Sequence, residues 1–317
     1  MTHSHIRPAA ERASIYHDIT QGILAQLEAG TVPWVQPWTS RGASSLGLPV
    51  NALSKRAYSG INILILWRSA ATNGFTSNTW LTFRQALELG GNVRKGAHGT
   101  SVVFANRFTP EEERQRAAQT GETPGVIPFL KRFTLFNTEQ CERLPDDCAV
   151  PAPQQNPELV APQVEALIKA TKMDFRVGGA HAFYNPLHDY VQVPRPEDYF
   201  EPINWHRTVL HEGSHWAGHP TRLNRFSIAP SNMEDRAKEE LVAEISASYL
   251  CATLGIVPTV RHADYIASWL TLLKSDERAI VKAASAASKT AEFILSFREA
   301  ATDADAANPA DTEQRAA

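Results

Sequence analysis

His211-Glu212-Gly213-Ser214-His215 restricts what this chain can fold into more than any other stretch of it. Two histidines four residues apart lie about one helical turn from each other, so on a helix both imidazoles reach one ion from one face. Glu212, beside the first, is set near the same point and can take a proton from water there. An ion held by two imidazoles needs a further protein ligand. The run KEELVAEISASYL offers Glu240 and Glu244, again four apart and facing one way. Helical spacing does not separate these two: one binds the ion and the other orients a histidine from behind. Glu239 falls off the shared face and is expected in solvent. His219 is cut off from the helix by Gly218 and Pro220 and is read as loop packing. Gly213 weakens the helix by roughly 1 kcal/mol relative to Ala.

Composition narrows the class. A hydrophobic content of 43% and a charged content of 21% are those of a soluble globular protein, and 317 residues suit two domains, each with its own core. No apolar run reaches the roughly 18 residues of a membrane span; the longest, INILILW, is strand- or helix-sized. The N-terminus MTHSHIRPAAERAS has no apolar signal region, so the expected compartment is the cytoplasm. Three cysteines cannot all pair and form no CxxC, and they are expected reduced. The net charge of −3 hides an asymmetry: residues 1–110 carry ten Lys/Arg against four Asp/Glu, while the remainder is acidic. Only the first half is therefore expected to meet a polyanion.

Taken in order, residues 14–29 carry a helical apolar period ended by Gly30. TVPWVQPW follows, where Pro33 and Pro37 impose an extended path presenting Trp34 and Trp38. Lys55, Arg56 and Tyr58 fall in a loop, and residues 83–89 read as a helix stopped by Gly90-Gly91. A basic turn with Arg94 and Lys95 leads into a strand at 101–105. Residues 111–125 read as a charged, solvated loop, and IPFLKRFTLFNTEQC as a strand. The proline-rich segment at 146–162 reads as a linker. Beyond it come a short helix, a hairpin (AFY, turn NPLHD, YVQVP), the HEGSH helix, the Glu240 helix and two final helices at about 263–273 and 276–297. Strand 190–193 is the expected edge for an extended substrate. The class is α+β. Aromatics interleaved with cations suit single-stranded nucleic acid, because unpaired bases stack and phosphates attract cations. The candidates are Trp34, Trp38, Lys55, Arg56, Tyr58, Arg94 and Lys95, with Trp67 and Trp80 expected in the core.

Together these pieces resemble the ArdC-type antirestriction proteins of conjugative plasmids, and the first half is similar to the N-terminal domain of TraC-type plasmid primases. The resemblance covers about residues 14–298. It rests on PVNALSKRAYSGINILIL, WLTFRQALELGGNVRKGAHGTSVVF, AFYNPLHDYVQVP, LHEGSHWAGHPTRLNR and EELVAEISASYL. It implies an α+β single-stranded-DNA-binding domain at 1–145 and a zincin-like metallopeptidase domain at 163–300, on either side of the linker at 146–162; the small, polar, acidic tail at 301–317 is expected to be disordered. It further implies Zn²⁺, or Mn²⁺ or another divalent ion, held by His211, His215 and one glutamate, with Glu212 as catalytic base. In related zincins the acidic helix reads E-x-x-A-N/D-x-x-A with the first Glu as ligand. That register falls on Glu240, leaving Glu244 behind a histidine. Gly213-Ser214 departs from the family, whose members usually carry Leu after the glutamate. The implied role is protection of incoming plasmid DNA from host restriction during conjugation, with single-stranded DNA and host restriction enzymes or other DNA-bound proteins as partners. The implied enzyme is a zinc metallopeptidase of the HExxH zincin type, its activity being either used in that role or dispensable to it. The alternative is a DNA-dependent metalloprotease acting on DNA-bound or crosslinked proteins.

Overall fold

The computed structural model describes residues 15–34, 47–148, 157–225, 232–257 and 265–307. Trp38 and part of the proline-rich segment lie outside them. The first half opens with α1 (Ile15–Glu28), which buries Ile23, Leu24 and Leu27 and ends where Gly30 adopts positive φ. After β1 (Val50–Asn51), INILILW forms α2 (Ile61–Asn73), capped at its C-terminus by left-handed Gly74. β2 (Thr79–Leu81) leads into α3 (Phe83–Glu88), where Thr82 and Gln85 form a reciprocal capping box. β3 (Asn92–Val93), β4 (Thr100–Phe108), α4 (Glu111–Thr120), β5 (Ile127–Asn137) and β6 (Cys141–Glu142) complete this half. The main sheet runs β1-β2-β5-β4, parallel at β1–β2 and otherwise antiparallel, and β3 pairs with β6 separately.

The charged segment expected as a loop is helical. α4 carries Glu111, Glu112 and Glu113 in its first turn, pairs Glu113 with Arg116 and closes on left-handed Gly121. It buries nothing, so it has no apolar period to read; propensity, dipole and i,i+3 pairing hold it.

In the second half α5 (Pro157–Thr171) begins inside the segment expected as linker. β7 (Asp174–Val177), β8 (Phe183–Asn185) and β9 (Tyr190–Val193) form a sheet in the order β7-β9-β8, with β8–β9 the expected hairpin. β9 is thus the central strand, not the edge. The expectation erred because β7 pairs with it in parallel from across a longer connection. Four helices follow: α6 (Pro202–Ala217), α7 (Met233–Leu254), α8 (Ile266–Ser275) and α9 (Ala279–Ala307). The alanine-rich start of the expected disordered tail continues α9 to Ala307. Among the described residues no helix is long and apolar enough to cross a membrane.

The two halves share a core. Ile23, Leu27, Trp34 and Ile61 belong to the same buried cluster as Trp205, Leu241, Trp269 and Ile280. Trp34 meets Trp269 edge-on at 5.1 Å, and Trp67 meets Tyr249 at 5.7 Å. Thr20 Oγ1 donates to the Glu277 carbonyl, and Tyr249 donates its hydroxyl to the Gly60 carbonyl. Gly60, with φ 59° and ψ −143°, also donates its N–H to Ser288 Oγ, a strained backbone that suits glycine. The main core is thus shared between the halves, while two smaller clusters lie within the first half.

Candidate metal centre

α6 is buried along almost its whole length, from Asn204 to Trp216, because sheet, α5, α7 and α9 enclose it. Pro202 sits in its first turn, where the missing N–H has no intrahelical partner to lose. Ser214 returns its hydroxyl to the Leu210 carbonyl, so the serine leaves no buried polar group unpaired. A Cβ on Gly213 would meet only Met173 Cε at 3.8 Å.

α7 packs against this helix and completes a donor set. His211 Nε2 and His215 Nε2 lie 3.2 Å apart, and Glu240 Oε2 is 3.4 Å from the first and 3.7 Å from the second. Bonds of about 2.0–2.1 Å to a tetrahedral ion place neighbouring donors about 3.3–3.4 Å apart. The three atoms therefore fit one ion, and His211, His215 and Glu240 form a metal-capable group among the described residues. Glu212 is buried and lines the same cavity.

Behind each imidazole stands a carboxylate, and behind each carboxylate an arginine. His211 Nδ1 faces Glu244 Oε1 at 3.1 Å, and Arg207 holds Glu244, both side chains being fully buried. His215 Nδ1 faces Glu239 Oε1 at 3.1 Å, and Arg225 holds Glu239 while donating also to Thr290 and the Ser214 carbonyl. When each imidazole is neutral with its proton on Nδ1, directed to Glu239 at His215 and towards Glu244 at His211, an Nε2 lone pair turns to the centre. Glu239 is thus not in solvent: its side chain is only 15% exposed. α7 crosses α6 so that consecutive residues 239 and 240 straddle the two rings, which no single-helix projection shows. Arg207 was also missed, although a signal existed: an arginine one turn before His211 in an apolar run is rarely buried without a carboxylate.

The electrostatics follow. Burial opposes charge on both histidines, but hydrogen bonds to Glu240 and Glu244 outweigh it and push His211 up to about 9, while Glu239 and Glu240 push His215 up to about 10. Burial raises the Glu240 carboxyl, yet the two imidazoles hold it far below the usual carboxylate range.

The cavity measures about 1110 Å³ and is bounded by Ala182–Tyr184 and Pro186 at β8, by α6 and α7, and by Tyr265 and Leu272 on the far side. β8 is therefore the free edge that faces the donors. Tyr184 donates its hydroxyl to Asp189 and accepts from Arg222, so its proton is committed away from the cavity. His219 bonds to Thr221 beyond the helix end, as loop packing requires.

The nucleic-acid candidates separate. Trp34 is 1% exposed and sealed against Trp269, so it has no ring face for a base. The expectation failed because its cover comes from α8, far away in sequence. Tyr58 is half-buried and accepts from Asn51. Lys55, Arg56, Arg94 and Lys95 are exposed, and Lys55 donates to the Asp147 carbonyl. They surround a small core of Ala52, Leu81, Ala86 and Cys141, beside exposed Phe83, Arg84 and Leu87 of α3. Trp67 and Trp80 are buried as expected.

Comparison with known proteins agrees with this architecture. Residues 13–136 match the model of the N-terminal domain of anti-restriction factor ArdC, and residues 162–286 match a zincin-like metallopeptidase. The metal-free crystal structure of antirestriction protein ArdC from plasmid R388 is 38% identical, with a TM-score of 0.75 over 90% of this chain and 97% of that one. Its Mn(II)-bound structure is 36% identical, with a TM-score of 0.73 over 90% and 98%. Protein y4eC of Sinorhizobium fredii (strain NBRC 101917 / NGR234) is 34% identical over 289 residues, 88% of this chain and 91% of that protein. DNA primase TraC of Escherichia coli is 33% identical over 309 residues, which are 92% of this chain but 28% of the primase. A zincin-like half with donors spaced for a divalent ion, joined through a shared core to an ArdC-type N-terminal half, places the chain in the ArdC family of antirestriction proteins.

Proposed function

We propose that this chain protects incoming plasmid DNA from host restriction by binding it as a single strand through its N-terminal half, in the cytoplasm, and that His211, His215 and Glu240 hold Zn²⁺ in the other half. The observation that carries the reading is the face around α3 and β3. Arg56, Arg84, Arg94 and Lys95 are exposed there, and none is paired with a carboxylate among the described residues. Unpaired cations clustered beside exposed apolar side chains suit a phosphate backbone with unstacked bases. The test is a titration of single-stranded and duplex DNA over a range of salt concentrations. Single strands should bind more tightly, with an affinity that falls steeply with salt, and Arg94→Glu with Lys95→Glu should flatten that slope. Equal affinity for the two forms contradicts the proposal.

A second reading, a DNA-dependent metalloprotease, is favoured by the cavity. Its volume exceeds that of ordinary small-molecule sites, and a free strand edge borders it, which suits an extended peptide. A bound divalent ion supplies Lewis acidity to a peptide carbonyl and to water. The chain's own part is then to pair the peptide along β8, to accept the attacking water's proton on Glu212 and to return it to the leaving amine. Glu212→Ala should abolish peptide cleavage and keep metal content. Protection of DNA by that variant in cells would show that hydrolysis is dispensable.

A further inference from the structure

Burial of Trp34 removes one of the expected stacking residues, and the sheet supplies other exposed rings. In β4 and β5, Val102 faces Phe133 and Phe104 faces Lys131 across the pair. Directly opposed residues share a face, so Phe104, Lys131 and Phe133 stand together on one side of the two-stranded ribbon. The other side is held inward. The Val103 side chain is buried in the main core and Arg132, opposite it, pairs with Asp18 of α1, while Asn62 of α2 bonds both backbone groups of Val103 along the free edge of β4. The aromatic side is itself buried near α2, where Val102 and Leu135 join the core with Leu66 and Trp80, and it opens to solvent only farther along, at Phe104 and Phe133.

Phe104 is 54% exposed and Phe133 is 40% exposed. Their rings meet edge-to-face, with centroids 6.1 Å apart and planes at 88°, so the edge of one abuts one face of the other and the pair is not stacked face to face. Lys131 Nζ sits 5.2 Å from the Phe133 ring centre. Exposed large aromatics on a solvated strand are unfavourable unless something covers them. The charge around them says what does: β4 and β5 contain Arg107, Lys131 and Arg132 and no acidic residue. With no acidic residue on either strand and Lys131 beside the rings, this surface is complementary to a polyanion with unpaired bases.

We propose that Phe104 and Phe133 form a base-stacking platform for single-stranded nucleic acid, with Lys131 reaching to the adjoining phosphate. This rests on the single-strand reading of the N-terminal half and names the surface that distinguishes single strand from duplex, whose bases are already stacked. The cations around α3 supply attraction in proportion to charge, whereas the ring pair supplies the preference for unpaired bases.

The test uses the full chain, a fluorescein-labelled oligo(dT) and its duplex with oligo(dA). Phe104→Ala and Phe133→Ala remove exposed rings and should leave the circular dichroism spectrum and the unfolding temperature unchanged. Each should weaken oligo(dT) binding roughly tenfold while leaving duplex binding and the salt slope alone. Phe133→Trp should restore affinity, and its indole fluorescence should be quenched by oligo(dT). Wild-type binding of both alanine variants overturns the platform and leaves the single-strand reading intact. Failure of the wild-type chain to bind oligo(dT) overturns both. If the variants change sedimentation instead of DNA affinity, the ring pair is a contact between copies of the chain, and the platform is again overturned.

Discussion

His211 and His215 each take part in a relay of imidazole, carboxylate and guanidinium, and the two relays predict different outcomes from the ligand itself. Glu240→Ala removes a donor and should abolish stoichiometric metal binding. Glu244→Gln and Glu239→Gln leave all three donors but weaken the hold on ring orientation, and each should lower affinity by about 10- to 100-fold. Equal losses at all three positions, measured by competition with a chelator, would contradict the assignment. The carboxylates also make binding pH-dependent. Protons are held on the imidazoles up to about 9 and 10, and an ion must displace them. Affinity should therefore rise with pH from neutral to about 9. The metal-free fold moves the other way: raised histidine values give stability fully present below the unfolded value of about 6.5 and lost as pH climbs through 9 to 10. Metal titrations across that range, in buffers of different ionisation heat, check both the direction and the proton release. The convergence of His211 and His215 was legible because their relation is local, one turn of one helix. Glu239 and Arg207 were not, since their roles depend on how α7 crosses α6.

Among elements, α6 tolerates a glycine in its middle because packing, not propensity, holds it. With only Met173 Cε near the added methyl, Gly213→Ala should stabilise the protein by up to about 1 kcal/mol and leave metal affinity unchanged. A fall in unfolding temperature would show that the site needs the glycine. α8 presents Tyr265 and Leu272 to the metal cavity, while its other contacts reach the first half through Trp34 and α1. Trp34→Ala should cost about 3–5 kcal/mol, and any loss of DNA affinity should vanish under conditions where the variant is fully folded. A specific DNA-binding defect in the folded variant would restore Trp34 as a stacking residue. Helices with an apolar period, such as α1 and α2, could be read from their residues. α4 could not, since a helix that buries nothing leaves no period, and the central position of β9 depended on a parallel partner that hairpin signals do not reveal.

On the scale of the whole molecule, the two halves are distinct in charge and in family yet continuous in their interior. Tyr249 and Ser288 bind the start of α2, and Trp269 covers Trp34. Heat or denaturant should therefore unfold the metal-free chain in a single transition, with both halves lost together. Two resolved transitions would mean that the shared core is weaker than the separate ones. The charge asymmetry was plain in the composition, and each half matches the family domain expected of it. Their union was not, because long-range burial leaves no local pattern in sequence.

The central claim is that two helices bring His211, His215 and Glu240 onto one ion beside Glu212. Metal analysis of the purified full chain and its variants tests it most directly. A stoichiometric divalent ion is expected in the wild-type chain and in Glu212→Ala, and none in His211→Ala, His215→Ala or Glu240→Ala with the fold retained. Full metal content in a folded Glu240→Ala variant would contradict it.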